Sequence, residues 1–180
     1  MGKTAFIFPG QGSQYVGMGK DFYERFPLAA EVFALAQEAS GLPVAKICFE
    51  PNEEIHITKY TQIAMLAAEI AMLRVLEQEG IKAGAAAGLS LGEYGALAAA
   101  QAMSDRDLFS LVAKRGLYMQ EAVPTGGAMT AVLGLNGDVV EAVCQEIQGQ
   151  VGVANYNCPG QIVITGEQAA VDAAAQKLKE

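Results

Sequence analysis

Gly84–Ala99, GAAAGLSLGEYGALAA, decides how the chain is read. Gly84–Gly88 is a short run of small residues that reads as a strand packed closely on its neighbours. Leu91–Ala100 follows at once with the composition of a helix. Between them, Gly88-Leu89-Ser90-Leu91-Gly92 fits G-x-S-x-G, the pattern of a serine held in a strained strand-to-helix turn. Small residues two positions either side let strand and helix crowd together, and the turn holds the hydroxyl clear of the sheet. The Leu91 amide then points where negative charge would develop on an acyl oxygen. The same five residues would also suit a glycine-rich turn whose serine merely caps the helix, so the surroundings must decide.

Upstream, Thr4–Phe8 (TAFIF) is an apolar run stopped by Pro9-Gly10 and reads as a buried strand entering a loop. That loop, Pro9–Tyr15 (PGQGSQY), can turn sharply at its glycines while its glutamine amides stay available. Helices are expected around Lys20–Arg25 and Ala29–Ala39, then an irregular stretch over Pro43–Thr61. Gln62–Gly80 reads as a long helix, apolar on most sides, of the kind buried inside an α/β body. Downstream, Ser104 caps a helix running to about Ala122. Pro124-Thr125-Gly126-Gly127 marks a break in composition and places a domain boundary between residues 1–125 and 126–180. Strand, helix, strand, strand and helix follow, at Met129–Leu135, Val139–Ile147, Val151–Tyr156, Gln161–Thr165 and Ala169–Lys179. A ferredoxin-like unit is β-α-β-β-α-β, so one strand is lacking and the polypeptide reads as cut within a domain.

Arg115 is the second candidate site residue. On a Ser104–Ala122 helix it shares a stripe with Leu108, Leu111, Val112, Tyr118, Met119 and Ala122, opposite Asp107, Ser110, Lys114 and Glu121. A permanent cation on such a face needs an anionic partner or strong hydrogen bonds. That partner could be internal, Glu93 or Glu69; the side chain could also snorkel to the surface. Helical spacing alone favours these over the remaining alternative, a bound carboxylate gripped through two parallel hydrogen bonds.

Composition narrows the function. The formal net charge is −8 with no basic run, which argues against nucleic acid and against an anionic membrane surface. Cys48, Cys144 and Cys158 are far apart and form no C-x-x-C pair, as in a reduced cytoplasmic protein. With His56 as the only histidine, no metal site is expected. The apolar stretches are interrupted by Glu69, Arg74 or glycine before they could span a bilayer, and no signal pattern opens the chain. The glycines around Gln11 lack phosphate-loop spacing, which disfavours nucleotide hydrolysis.

Four blocks in order, FPGQGSQ (Phe8–Gln14), GLSLGEY (Gly88–Tyr94), KRGLYMQ (Lys114–Gln120) and NYNCPGQIVITG (Asn155–Gly166), resemble the signature blocks of the malonyl-CoA:acyl carrier protein transacylases. The resemblance covers essentially the whole chain. It implies an α/β-hydrolase-like core, here incomplete, with an inserted ferredoxin-like subdomain lacking its last strand. It implies that Ser90 is the acylated nucleophile, that the backbone amides of Gln11 and Leu91 form the oxyanion hole, and that Arg115 binds the malonate carboxylate. Gln62 resembles a position near the active site of that family, and Leu89 and Met119 are candidate neighbours. The implied substrate is malonyl-CoA, and the implied partner is acyl carrier protein with its phosphopantetheine thiol. No cofactor of the enzyme's own is implied.

Two departures matter. The residue before the serine, commonly histidine in the family, is Leu89, which should tune the site rather than abolish it. The family's catalytic histidine is expected beyond the last strand of the insert, outside these residues. His56 matches no catalytic position and reads as a loop histidine, solvent-facing or locally hydrogen-bonded. Two other functions share these features. A serine esterase or thioesterase would use the same elbow, and a non-catalytic fragment could hold acyl-CoA or carrier without turnover.

Overall fold

Ala5–Phe8 forms strand β1 of the computed structural model, which describes residues 4–179. The chain divides into two compact units, Met1–Ala122 and Val123–Glu180. In the first, β1 pairs in parallel with β2 (Ala85–Gly88), Ala5 opposite Ala85 and Phe8 opposite Gly88. Phe8 is buried against the helix that follows β2, α5 (Gly92–Ala99), whereas Ile7 on the other face is 73% exposed. The expectation of a buried strand is therefore corrected. A two-stranded sheet can bury one face on helices, and among the described residues of this unit nothing covers the other.

Helices α1 (Lys20–Arg25), α2 (Pro27–Ser40), α3 (Val44–Phe49), α4 (Thr58–Gln78) and α6 (Asp105–Ala122) complete this unit. The central element is α4, with every residue from Thr61 to Ala71 buried. Its neighbours contribute Val32, Phe33 and Ala36 from α2, Ile47 and Cys48 from α3, and Leu108, Phe109 and Val112 from α6. A helix enclosed this way has no polar face to give up, which is why Gln62–Gly80 shows so little amphipathic pattern. Pro43–Thr61 is not irregular. It holds α3, a one-turn 3-10 helix at Glu54–His56 and the start of α4. Helices this short show no period of their own; burial of Val44, Ile47 and Ile55 holds them.

Ser104 caps α6, its Oγ accepting the Asp107 N–H at 3.1 Å and donating to the Asp107 carboxylate at 2.6 Å. Arg74 of α4 ties the same end down, donating to both carboxylate oxygens of Asp105 (2.9 and 2.5 Å) and to Glu77 (2.6 Å).

The second unit runs β3 (Gly127–Leu133), α7 (Gly137–Glu146), β4 (Val151–Cys158), β5 (Gln161–Glu167) and α8 (Gln168–Lys177). Its sheet is antiparallel in the order β3-β5-β4, with Val132 opposite Ile162. Val132, Ile162 and Ile164 pack with Val140 and Cys144 of α7 and Val171 and Ala174 of α8. The architecture is mixed α/β.

Candidate active site

Ser90 lies between β2 and α5 with φ +53°, in the left-handed region that residues bearing a Cβ seldom occupy. Backbone held there is typically fixed by surroundings that leave it no alternative, and such strain clusters at functional sites. Here the surroundings are glycines. A Cβ on Gly88 would fall 2.0 Å from the Gly92 carbonyl, and one on Gly92 would fall 2.2 Å from the Phe8 oxygen. Strand, turn and helix therefore touch backbone to backbone. The Leu89 N–H donates to Phe8 O at 3.1 Å, and a Cβ on Gly10 would lie 2.7 Å from Leu89 O. The glycine loop after β1 thus lies directly against the serine turn.

Two backbone amides belong to the serine turn and to the loop packed against it. Leu91 is buried at the head of α5 in helical conformation (φ −58°), and Gln11 follows Gly10 on that loop. Among the described residues neither N–H donates to a protein acceptor.

The side chains form one chain of hydrogen bonds. Arg115 donates to Ser90 Oγ at 3.1 Å through one terminal nitrogen and to Gln62 Oε1 through the other. Gln62 Nε2 donates to Gln11 Oε1 at 2.7 Å, and Gln11 Nε2 donates to Thr58 Oγ1 at 3.1 Å. Gln62 is buried, 1% exposed, whereas Ser90 and Gln11 are exposed and Arg115 is half-buried. The Tyr94 ring lies under the guanidinium, 5.6 Å from its carbon. Ser90, Gln11, Leu91, Gln62 and Arg115 therefore come together in the first unit.

Leu89 flanks the serine and is exposed, and Met119 is 44% exposed and outside the hydrogen-bonded chain. The buried stripe of α6 also differs from the expected one. Leu108, Phe109, Val112 and Gly116 form it, whereas Leu111, Tyr118 and Met119 are exposed. Gly116 sets the rotation, because a Cβ there would meet the Lys59 backbone and Gln62 Cβ at 3.1 Å. That close approach brings Arg115 to Gln62.

Thr58 and Tyr94 were not singled out by sequence. Thr58 stands four residues before Gln62 on α4, a spacing that is visible only once the helix start is known, and Tyr94 lies on α5 just past the serine turn. Neither Glu93 nor Glu69 pairs with Arg115 among the described ion pairs. Glu69 is buried with both carboxylate oxygens unpartnered, and burial raises its pKa to about 8. His56 is exposed in the 3-10 turn. All three cysteines are free, and burial pushes the Cys48 thiol up to about 12, which leaves it a poor nucleophile. Among the described residues no helix is long and apolar enough to cross a membrane.

The sequence model of the acyl transferase domain matches residues 5–180. The malonyl CoA-acyl carrier protein transacylase of Bacillus subtilis is 44% identical over 185 residues, an alignment covering 100% of this chain and 58% of that protein. The crystal structure of malonyl CoA-acyl carrier protein transacylase from Clostridium perfringens superposes with a TM-score of 0.87 at 43% identity, covering 99% of this chain and 58% of that one. A malonyl-transacylase in complex with a type II polyketide synthase acyl carrier protein superposes with a TM-score of 0.89 at 40% identity, covering 99% and 59%. The chain thus spans less than two thirds of the length of these relatives.

Proposed function

The chain belongs to the acyl transferase domain family, and from that premise we propose that it carries the nucleophile and carboxylate-binding half of a malonyl-CoA:acyl carrier protein transacylase. The observation that carries this reading is the contact between Arg115 and the Oγ of a serine held at φ +53°. Any thioester carbonyl placed for attack by Ser90 then has a guanidinium beside it.

Ser90 Oγ attacks the malonyl thioester carbonyl. The carbon–sulfur bond breaks, CoA leaves as its thiol with the serine proton, and malonyl-serine remains. The oxyanion of each tetrahedral intermediate is held by the Gln11 and Leu91 amides, both free to donate. The phosphopantetheine thiol of acyl carrier protein then attacks the ester, taking the malonyl group and returning the proton to Ser90. Arg115 holds the distal carboxylate, with Gln62 keeping one edge of the fork in place. The family resemblance assigns the base to a histidine that has no counterpart among these residues. His56 is exposed and bonded into no part of the site. No metal or redox cofactor enters, and fatty acid synthesis in the cytoplasm is the setting.

The same reading takes residues 1–125 as part of an α/β-hydrolase-like core, supported by the parallel β1–β2 pair and the serine turn between strand and helix. It takes residues 126–180 as a ferredoxin-like insert lacking its last strand, supported by the order β3-β5-β4, which leaves β3 at an edge. Labelled malonyl-CoA, given to a protein of the relatives' full length with and without holo-acyl carrier protein, tests the function. Label stable on the protein and passed to the carrier is the expected result. Prompt release of free malonate would make the protein a thioesterase, and binding without covalent label would make it a non-catalytic module.

A further inference from the structure

The acceptor at the far end of the hydrogen-bonded chain from Arg115 is the hydroxyl of Thr58. We infer that Thr58 is a positioning residue for carboxylate selection, setting the direction of both glutamine side chains and through them the pose of Arg115. This rests on the reading of Arg115 as the carboxylate-binding group.

Each link in the chain has only one workable polarity. A guanidinium can only donate, so Gln62 must turn Oε1 toward Arg115 and Nε2 toward Gln11. Gln11 must then turn Oε1 toward Gln62, which leaves its Nε2 in need of an acceptor. Thr58 Oγ1, at 3.1 Å, is that acceptor. If Gln11 flipped, its NH2 would face the NH2 of Gln62, and the only relief would be a flip of Gln62 that sets donor against guanidinium.

Burial shows why the anchor matters. Gln62 is enclosed in α4, whereas Gln11 is exposed on a loop whose next residue, Gly12, has φ +114°. Gln11 is thus the less enclosed of the two glutamines, held by its side-chain hydrogen bonds to Gln62 and Thr58, and it also carries one proposed oxyanion donor. The Thr58 hydroxyl has no competing local duty. It does not cap α4, where Ile57 is the N-cap and no side chain caps, and Thr61 makes the back-bonds to Ile55 O and Ile57 O.

The test compares Thr58→Val and Thr58→Ser in a protein of the relatives' full length, measuring kcat and KM for malonyl and acetyl transfer to holo-acyl carrier protein. Valine keeps the shape and removes the acceptor. It should lower the malonyl-to-acetyl ratio of kcat/KM about three- to tenfold, the loss of one hydrogen bond, and serine should restore it. Thr58→Ala, with a strong helix former, repeats the test if valine at the first residue of α4 impairs folding. Equal losses for both substrates, or an unchanged ratio in the valine and alanine variants, would overturn the inference. Arg115→Ala in parallel separates the two levels. If it collapses the ratio while Thr58→Val does not, the positioning role alone fails; if it leaves the ratio intact, the carboxylate reading fails and the inference with it.

Discussion

Arg115 carries a full positive charge on a half-buried position, yet both of its hydrogen-bond acceptors, Gln62 Oε1 and Ser90 Oγ, are neutral. A cation so placed retains the capacity to bind an anion, and a planar fork favours a carboxylate. Arg115→Ala should therefore cost malonyl transfer on the order of 2–5 kcal/mol in kcat/KM, the price of losing a desolvated charge-assisted pair. Acetyl transfer, which offers the guanidinium nothing to bind, should fall much less. Steady-state kinetics with the two thioesters decides, and equal losses would make Arg115 a structural residue. Ser90 and Arg115 stand out in the sequence because each breaks a local rule, a serine amid glycines and a cation on an expected apolar stripe; the structure turns that stripe, so Arg115 lies beside the buried face of Leu108, Phe109, Val112 and Gly116. Thr58 and Tyr94 break none, and only the fold brings them to the site.

Among the elements, the serine turn depends on close backbone approach, so it should be intolerant of a single methyl group. Gly92→Ala places a Cβ 2.2 Å from Phe8 O, a contact that only backbone movement relieves. The variant should lose about 1–3 kcal/mol of stability, read by denaturant unfolding, and acylate Ser90 poorly because the turn must open. Unaltered stability and acylation would show that the approach is looser than the structure describes. Helix α4 carries a second consequence. The Glu69 pKa is raised from 4.5 to about 8 by burial, so between these values the folded state binds more protons than the unfolded one. Stability is then fully present below about pH 4.5, falls as pH rises toward 8 by up to about 1.4 kcal/mol per unit, and levels off above. Glu69→Gln should flatten that slope in urea unfolding at pH 5.5, 7 and 8.5; a slope that persists in the variant would assign it to other groups. The long helix was legible because enclosure on all sides writes an apolar run, Ile63–Leu73, interrupted only by Glu69. The short α3 and the rotation of α6 were not, since one follows from tertiary burial and the other from Gly116 meeting Lys59.

At the scale of the whole molecule, the described residues give Ser90 a side-chain donor in Arg115 and no side-chain acceptor. A serine hydroxyl is a weak nucleophile at neutral pH without a base in reach, and a guanidinium cannot serve as one. The 180-residue chain alone should therefore acylate slowly, and adding the polypeptide corresponding to the rest of its relatives' length should restore turnover. Full transfer by the chain alone, undiminished in His56→Ala, would require a different base. The exposed face around Ile7 was missed because an apolar run predicts burial without saying on which side of a strand. The central claim is that malonyl transfer passes through Ser90, and intact-protein mass spectrometry with peptide mapping tests it most directly. A protein of the relatives' full length, incubated with malonyl-CoA, should gain a single malonyl group that maps to Ser90, disappears on adding holo-acyl carrier protein and is absent in Ser90→Ala. A malonyl adduct that maps elsewhere, or that persists in Ser90→Ala, would contradict the account.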